Sequence, residues 1–282
     1  MIAVRVRALS LALALACCVA GNALAAVFEA TLSLPMPEAQ PEGLATLLVK
    51  PSETGRYPLV ILSHGSPRDP SRRGGMSPDT WRPQAMEFVR RGFAAAIVMR
   101  RGFGNSGGGF GEAYGRCGDP NYVQAGRAAA ADLRFAIEAL QKRPDIDGTR
   151  VLAVGQSAGG FATVALTAQP PPGLVGAISF AGGRGSLRDN EVCGEERLVS
   201  AFAAFGKTSR IPMLWIYTEN DQYFSPELAE KLRAAFTAGG GKVELIRAGP
   251  FGHDGHNLFV RGISTWTPLV DRYLVQQKLV AP

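Results

Sequence analysis

Short apolar runs alternate with helical stretches along most of the chain, and no other feature constrains the fold as much. Strand-like runs fall at residues 28–34, 44–50, 58–63, 93–99, 150–154, 175–180, 212–218 and 243–248. From the third run onward, helices are expected between most of the strands. One covers 80–91, with Pro83 near its start, and an alanine-rich one runs to about Lys142, opened by Asp119 and Pro120 as N-cap and N1. A third covers 158–168, and Ser225-Pro226 opens a fourth with Leu228, Leu232 and Phe236 on one face. The last is expected over 267–277. A strand that leads into a helix and back returns parallel to itself, so this order predicts a mostly parallel eight-stranded sheet with helices on both faces. The first two runs have no helix between them and are expected to be antiparallel. One sizeable excursion, 182–210, is expected to form a small cap insertion. At 282 residues and 46% hydrophobic, the chain can bury a single core of this kind, and one α/β domain is read over 26–282.

Residues 1–25 are read as a signal peptide. Arg5 and Arg7 precede an apolar run over 8–20, and Ala23-Leu24-Ala25 fits a small-residue cleavage site. Thirteen apolar residues are too few to span a bilayer as a helix, so no stable membrane insertion is expected. Removal of the leader takes Cys17 and Cys18 with it and implies a periplasmic or secreted protein. Cys117 and Cys193 remain, and an even pair in an oxidising compartment is expected to form a disulfide.

The formal net charge is +6, but the basic residues occur in isolated pairs such as Arg72-Arg73 and Arg100-Arg101. Neither a long basic run nor regular aromatic interleaving accompanies them, so nucleic acid is not expected as a partner.

The segment Gly155-Gln156-Ser157-Ala158-Gly159 fits the pattern in which a sharp strand-to-helix turn exposes a nucleophilic serine. It lies between the apolar strand Val151-Leu152-Ala153-Val154 and an apolar helix. A second match, Gly104-Asn105-Ser106-Gly107-Gly108, lies in a glycine-rich loop whose following helix starts too late for such a turn. That loop also carries Gly102, Gly104 and Gly107 in a dinucleotide-binding spacing, without the helix that a phosphate site needs. It is read instead as a flexible loop beside a substrate cleft.

A serine nucleophile needs a base, and only three histidines exist. His64 ends the third strand, where it is placed to position backbone. His253 and His256 both follow the eighth strand, where the histidine belongs in the order Ser, acid, His. His256, preceded by Gly255, is preferred, with His253 as the alternative. Asp221, after the seventh strand, is the preferred acid, with Glu219 and then Asp254 behind it. The oxyanion of a tetrahedral intermediate would be held by the backbone N–H groups of Ala158 and Ser66. Arg101 and Arg184 are read as candidates to line the cleft and favour an anionic substrate. No metal or organic cofactor is expected, and the sequence leaves the oligomeric state open.

Together the strand order, the His64-Gly65-Ser66-Pro67 turn, the Gly155-to-Gly159 elbow, Asp221 and His256 resemble the α/β-hydrolase superfamily. The nearest likeness is to its exported dienelactone-hydrolase-like and prolyl-oligopeptidase-like members. Dienelactone hydrolases proper use a cysteine nucleophile, and Ser157 departs from that pattern. The resemblance implies a serine hydrolase, with a carboxylesterase acting on small or medium esters as the first expectation. A prolyl-oligopeptidase-type peptidase and a non-catalytic binding module on the same scaffold are the alternatives.

Overall fold

The computed structural model describes residues 27–52 and 54–281; the leader read at 1–25 lies outside these residues. The chain runs β1 (Phe28–Leu34), β2 (Leu44–Lys50), β3 (Tyr57–Ser63), α1 (Arg82–Arg90), β4 (Ala94–Val98), α2 (Tyr122–Gln141), β5 (Ile146–Gln156), α3 (Ala158–Thr167) and β6 (Leu174–Phe180). It continues through β7 (Ser186–Arg188), β8 (Glu191–Val192), α4 (Glu195–Gly206), β9 (Met213–Thr218), α5 (Pro226–Ala238), β10 (Val243–Ala248), α6 (Leu258–Arg261) and α7 (Ile263–Gln276). Eight strands form one sheet in the order β1-β2-β4-β3-β5-β6-β9-β10. Strand β2 is antiparallel to both its neighbours, and every other pairing is parallel. This is the α/β-hydrolase fold.

The period of two along the central strands sorts their side chains between two cores. Leu59 and Ile61 of β3, with Val151 and Ala153 of β5, face the layer built from α2, α3, α4 and α5. Val60 and Leu62, with Leu152 and Val154, face α1, α6 and α7. Both layers are lined by large aromatic side chains, Phe161, Phe202 and Phe205 on the first and Phe88 and Trp266 on the second.

Three boundaries differ from the sequence reading, each for a local reason. Helix α2 is capped by Asn121, whose Oδ1 accepts the Gln124 N–H at 3.0 Å, rather than by Asp119. Helix α7 starts at Ile263, because the buried stripe Trp266, Val270, Tyr273 and Leu274 extends its packing face upstream of Pro268. The segment 182–210, expected as a cap, divides in two. Its first part is the β7–β8 hairpin. Its second part, α4, belongs to the helical layer, with Leu198, Ala201, Phe202 and Phe205 in the core and Phe202 edge-on to Trp215 at 5.2 Å. Cys117 and Cys193 form the expected disulfide, joining the loop before α2 to the residues between the hairpin and α4, with a Cα–Cα distance of 5.1 Å.

Candidate active site

Strand β5 ends at Gln156 and α3 begins at Ala158, so Ser157 alone makes the turn, at φ 55° and ψ −121°. A non-glycine residue in this region is strained and is kept there only by its surroundings. The surroundings are backbone packed on backbone. A Cβ on Gly155 would lie 2.2 Å from the Gly159 carbonyl oxygen, and one on Gly159 would lie 2.1 Å from that of Ser63. The Ser157 N–H donates to Phe180 O at 2.9 Å, while its carbonyl accepts from Phe161 N at 2.9 Å and Gly183 N at 3.1 Å. These contacts fix the serine between the ends of β3, β5 and β6.

Asp221 follows β9, and His256 lies in the short helical turn Gly255–Asn257 after β10. The His256 Nδ1–H donates to both Asp221 oxygens, at 3.1 and 3.0 Å. Asp221 is aimed by two backbone donors, Tyr223 N at 2.7 Å and Phe224 N at 2.9 Å. Asp254, the third-ranked acid, serves the loop instead: its Oδ1 accepts from Gln222 N and His256 N, at 3.1 and 2.9 Å. Gly255 lets this loop meet β9, since a Cβ there would fall 1.8 Å from Thr218 Oγ1. The Tyr223 ring stacks on the His256 imidazole at 3.9 Å and 10°, and the Arg68 guanidinium covers Tyr223 at 3.7 Å from the ring centroid. Because Nδ1 carries the proton shared with Asp221, Nε2 is left as an acceptor.

Two clefts meet at Ser157. The larger, about 610 Å³, is lined by His256, Gln156, Trp81 and Met76 among others. The smaller, about 80 Å³, is lined by Ala158, Tyr114, Ser186 and three arginines, Arg68, Arg73 and Arg184. Ser66, Pro67, Ser157 and Tyr223 border both. The expected residues Ser157, Asp221, His256, Ser66 and Ala158 are therefore gathered around one junction.

Other candidates are placed elsewhere. Glu219 and His253 are exposed and line neither cleft; the His253 carbonyl accepts from Gln222 Nε2. Ser106, at the second serine motif, is a buried hydrogen bonder that donates to Met99 O at 2.6 Å and accepts from Ala45 N at 2.9 Å. Its glycine loop packs on the backbone of Glu38 and Ala39 rather than lying open beside the clefts. Arg101 binds Asp132 through its backbone N–H at 2.8 Å and its Nε at 2.7 Å, and does not line a cleft. Among the described residues no group of three or more His, Cys, Asp or Glu side chains is arranged to hold a metal ion.

His64 is fully enclosed behind the Gly65–Pro67 loop. Its Nε2 accepts the Arg100 N–H at 3.1 Å, which places the ring proton on Nδ1, 2.7 Å from Gly65 O. Burial, reinforced by the Arg100 charge, pulls its pKa down to about 3, so the ring is neutral. Arg100 in turn donates to Ser63 Oγ, His64 O and Glu112, while Glu112 also binds Arg184. Although burial opposes it, the two guanidinium groups hold the Glu112 carboxyl down to about 2. Sequence patterns gave no signal for Glu112, Arg68, Arg73 or Tyr223, which reach the site from separate loops.

No curated protein sequence matches the chain. Among solved structures, a Klebsiella pneumoniae protein assigned as a dienelactone hydrolase is similar at a TM-score of 0.60 and 19% identity, over 90% of this chain and 99% of that one. Thermogutta terrifontis esterase 2 is similar at 0.58 and 17%, over 90% and 94%. An esterase of Pyrococcus furiosus is similar at 0.60 and 12%, over 89% and 90%. At these identities the likeness establishes the fold, not the activity. The sequence model of the X-Pro dipeptidyl-peptidase (S15) family matches residues 42–209, more than half of the chain, and the chain belongs to that family.

Proposed function

We propose that this protein is an exported serine hydrolase that cleaves small or medium carboxylic esters through an acyl-enzyme on Ser157. The observation that carries this reading is the arrival of the strained Ser157 turn and the Asp221–His256 pair at one cleft. In the first half-reaction Ser157 Oγ attacks the acyl carbon and its proton passes to His256 Nε2. Asp221 keeps the imidazole in the right tautomer and stabilises the imidazolium. The Ser66 and Ala158 N–H groups hold the oxyanion; Ala158 opens α3, so its N–H has no partner within the helix. The C–O bond to the leaving alcohol then breaks as His256 returns the proton to it. Water, deprotonated by His256, attacks the acyl-enzyme, releases the acid and restores Ser157. Ser157 Oγ and His256 Nε2 make no hydrogen bond among the described residues; such contacts commonly tighten only when substrate is bound.

The family membership gives a second reading, a peptidase. A dipeptide-releasing enzyme holds an acyl half that ends in a free ammonium group, for which a carboxylate is the natural partner. Neither cleft beside Ser157 is lined by Asp or Glu. That favours the esterase, and a binder without turnover would have no use for the oriented Asp221–His256 pair. Matched ester and amide substrates of the same acyl group test the choice: ester turnover that disappears in Ser157→Ala supports it, and faster cleavage of the amide overturns it. Export is supported by the leader-like residues 1–25 and by the Cys117–Cys193 disulfide.

A further inference from the structure

The two clefts take different halves of the substrate. His256 must hand its proton to the departing alcohol, so the alcohol lies in the larger cleft, which His256 lines. The acyl group is left with the smaller cleft, on the side of Ala158.

Charge in the smaller cleft is unbalanced. Arg184 is only 5% exposed, and the single carboxylate it binds, Glu112, is shared with Arg100. Two cations thus rest on one anion, and neutral His64 does not alter the count. Arg73 has no ion pair and no side-chain hydrogen bond among the described residues; it lies on the Phe110 ring at 3.6 Å. Its Nε and that of Arg184 are buried without partners. Burial and the nearby Arg184 charge lower the Arg73 pKa from its ordinary value, and the smaller opposing pull of Glu112 does not offset them. Arg68, the third lining arginine, is answered only by the exposed Asp189 and by neutral acceptors. Guanidinium groups held this way are costly until an anion joins them, and their planar donor forks match a carboxylate.

We propose that the small cleft is an acyl-side carboxylate pocket, and that the preferred substrates are half-esters of short dicarboxylic acids. The inference rests on the esterase reading and adds to it the charge and length of the acyl group. The cleft is about 80 Å³ against 610 Å³ on the alcohol side, so the acyl chain is short.

The test compares p-nitrophenyl hydrogen glutarate with p-nitrophenyl valerate, which has a similar chain and no charge. In the wild type kcat/KM should favour the half-ester on the order of 10- to 100-fold, the value of one charge-assisted contact, and added salt should reduce the preference. Arg73→Met removes a guanidinium that bonds to no protein group, so the fold should tolerate it; the ratio should fall several-fold, with Arg184 and Arg68 still lining the cleft. If valerate is turned over through Ser157 and the half-ester is equal or worse, the pocket is refuted while the esterase reading stands. A ratio unchanged in Arg73→Met also refutes it. If neither ester reacts and a fluorophosphonate leaves Ser157 unlabelled, the esterase reading itself fails.

Discussion

His64 provides the sharpest quantitative prediction, because its role is stabilising rather than catalytic. It is enclosed, it accepts from Arg100 N, and it donates to Gly65 O, so it fits only as the neutral ring with the proton on Nδ1. In the unfolded chain the ring would titrate near 6.5, against about 3 in the fold. A pKa lowered by folding gives stability that is complete above 6.5 and is lost as the pH falls from there through about 3. Each pH unit in that window is worth about 1.4 kcal/mol, so going from about pH 7 to about pH 4.5 removes about 3 kcal/mol through this one group. Against a usual stability of about 5–15 kcal/mol, that is a large share. Other groups also titrate over this range, so the useful quantity is a difference between two proteins. His64→Asn will be less stable than the wild type near pH 7, and denaturant unfolding should find the gap narrowed by about 3 kcal/mol near pH 4.5. A gap that stays constant with pH would refute the argument, as would ring nitrogen shifts that place the His64 pKa near 6.5.

Asp221→Asn should leave the fold intact and lower kcat on the order of 10³- to 10⁴-fold, because an amide favours the wrong imidazole tautomer; an unchanged kcat means that another acid serves. Gly159→Ala sets a methyl against the Ser63 carbonyl at 2.1 Å, and should cost about 1–3 kcal/mol in thermal or denaturant unfolding and abolish labelling of Ser157. Wild-type labelling in that variant would contradict the packing account of the turn. Replacing Cys117 and Cys193 by Ser should lower stability by up to about 4 kcal/mol, since the bridge closes a loop of 76 residues. Thiol titration of the denatured, unreduced protein that finds both cysteines free would remove the basis for that figure.

Much of the sheet was legible because its central strands are buried on both faces and therefore read as unbroken apolar runs, as in Ala94–Val98. The β7–β8 hairpin was not, because strands of three and two residues carry no period. The swap of α4 from cap to core was hidden for a different reason. Its apolar stripe marks a buried face, but only the fold says against what it is buried. At the site, Ser157 stands in a recognisable turn, and His256 and Asp221, picked out by their order in the chain, are hydrogen-bonded to each other. Ser106 shows the limit of the pattern: the same spacing of glycines and serine makes a buried loop bond there. Arg184 was read as a candidate to line the cleft and lines the smaller one, whereas Arg73 and Glu112 join it from separate loops by tertiary packing alone, and the stack of Arg68 on Tyr223 on His256 likewise has no mark in the sequence.

The central claim is that Ser157 is an activated nucleophile, and covalent labelling tests it most directly. Folded protein treated with a fluorophosphonate should carry one adduct, which peptide mapping by mass spectrometry places on Ser157. Labelling should be lost in Ser157→Ala and strongly slowed in His256→Ala. An adduct on another residue, or none on protein shown to be folded, would contradict the account.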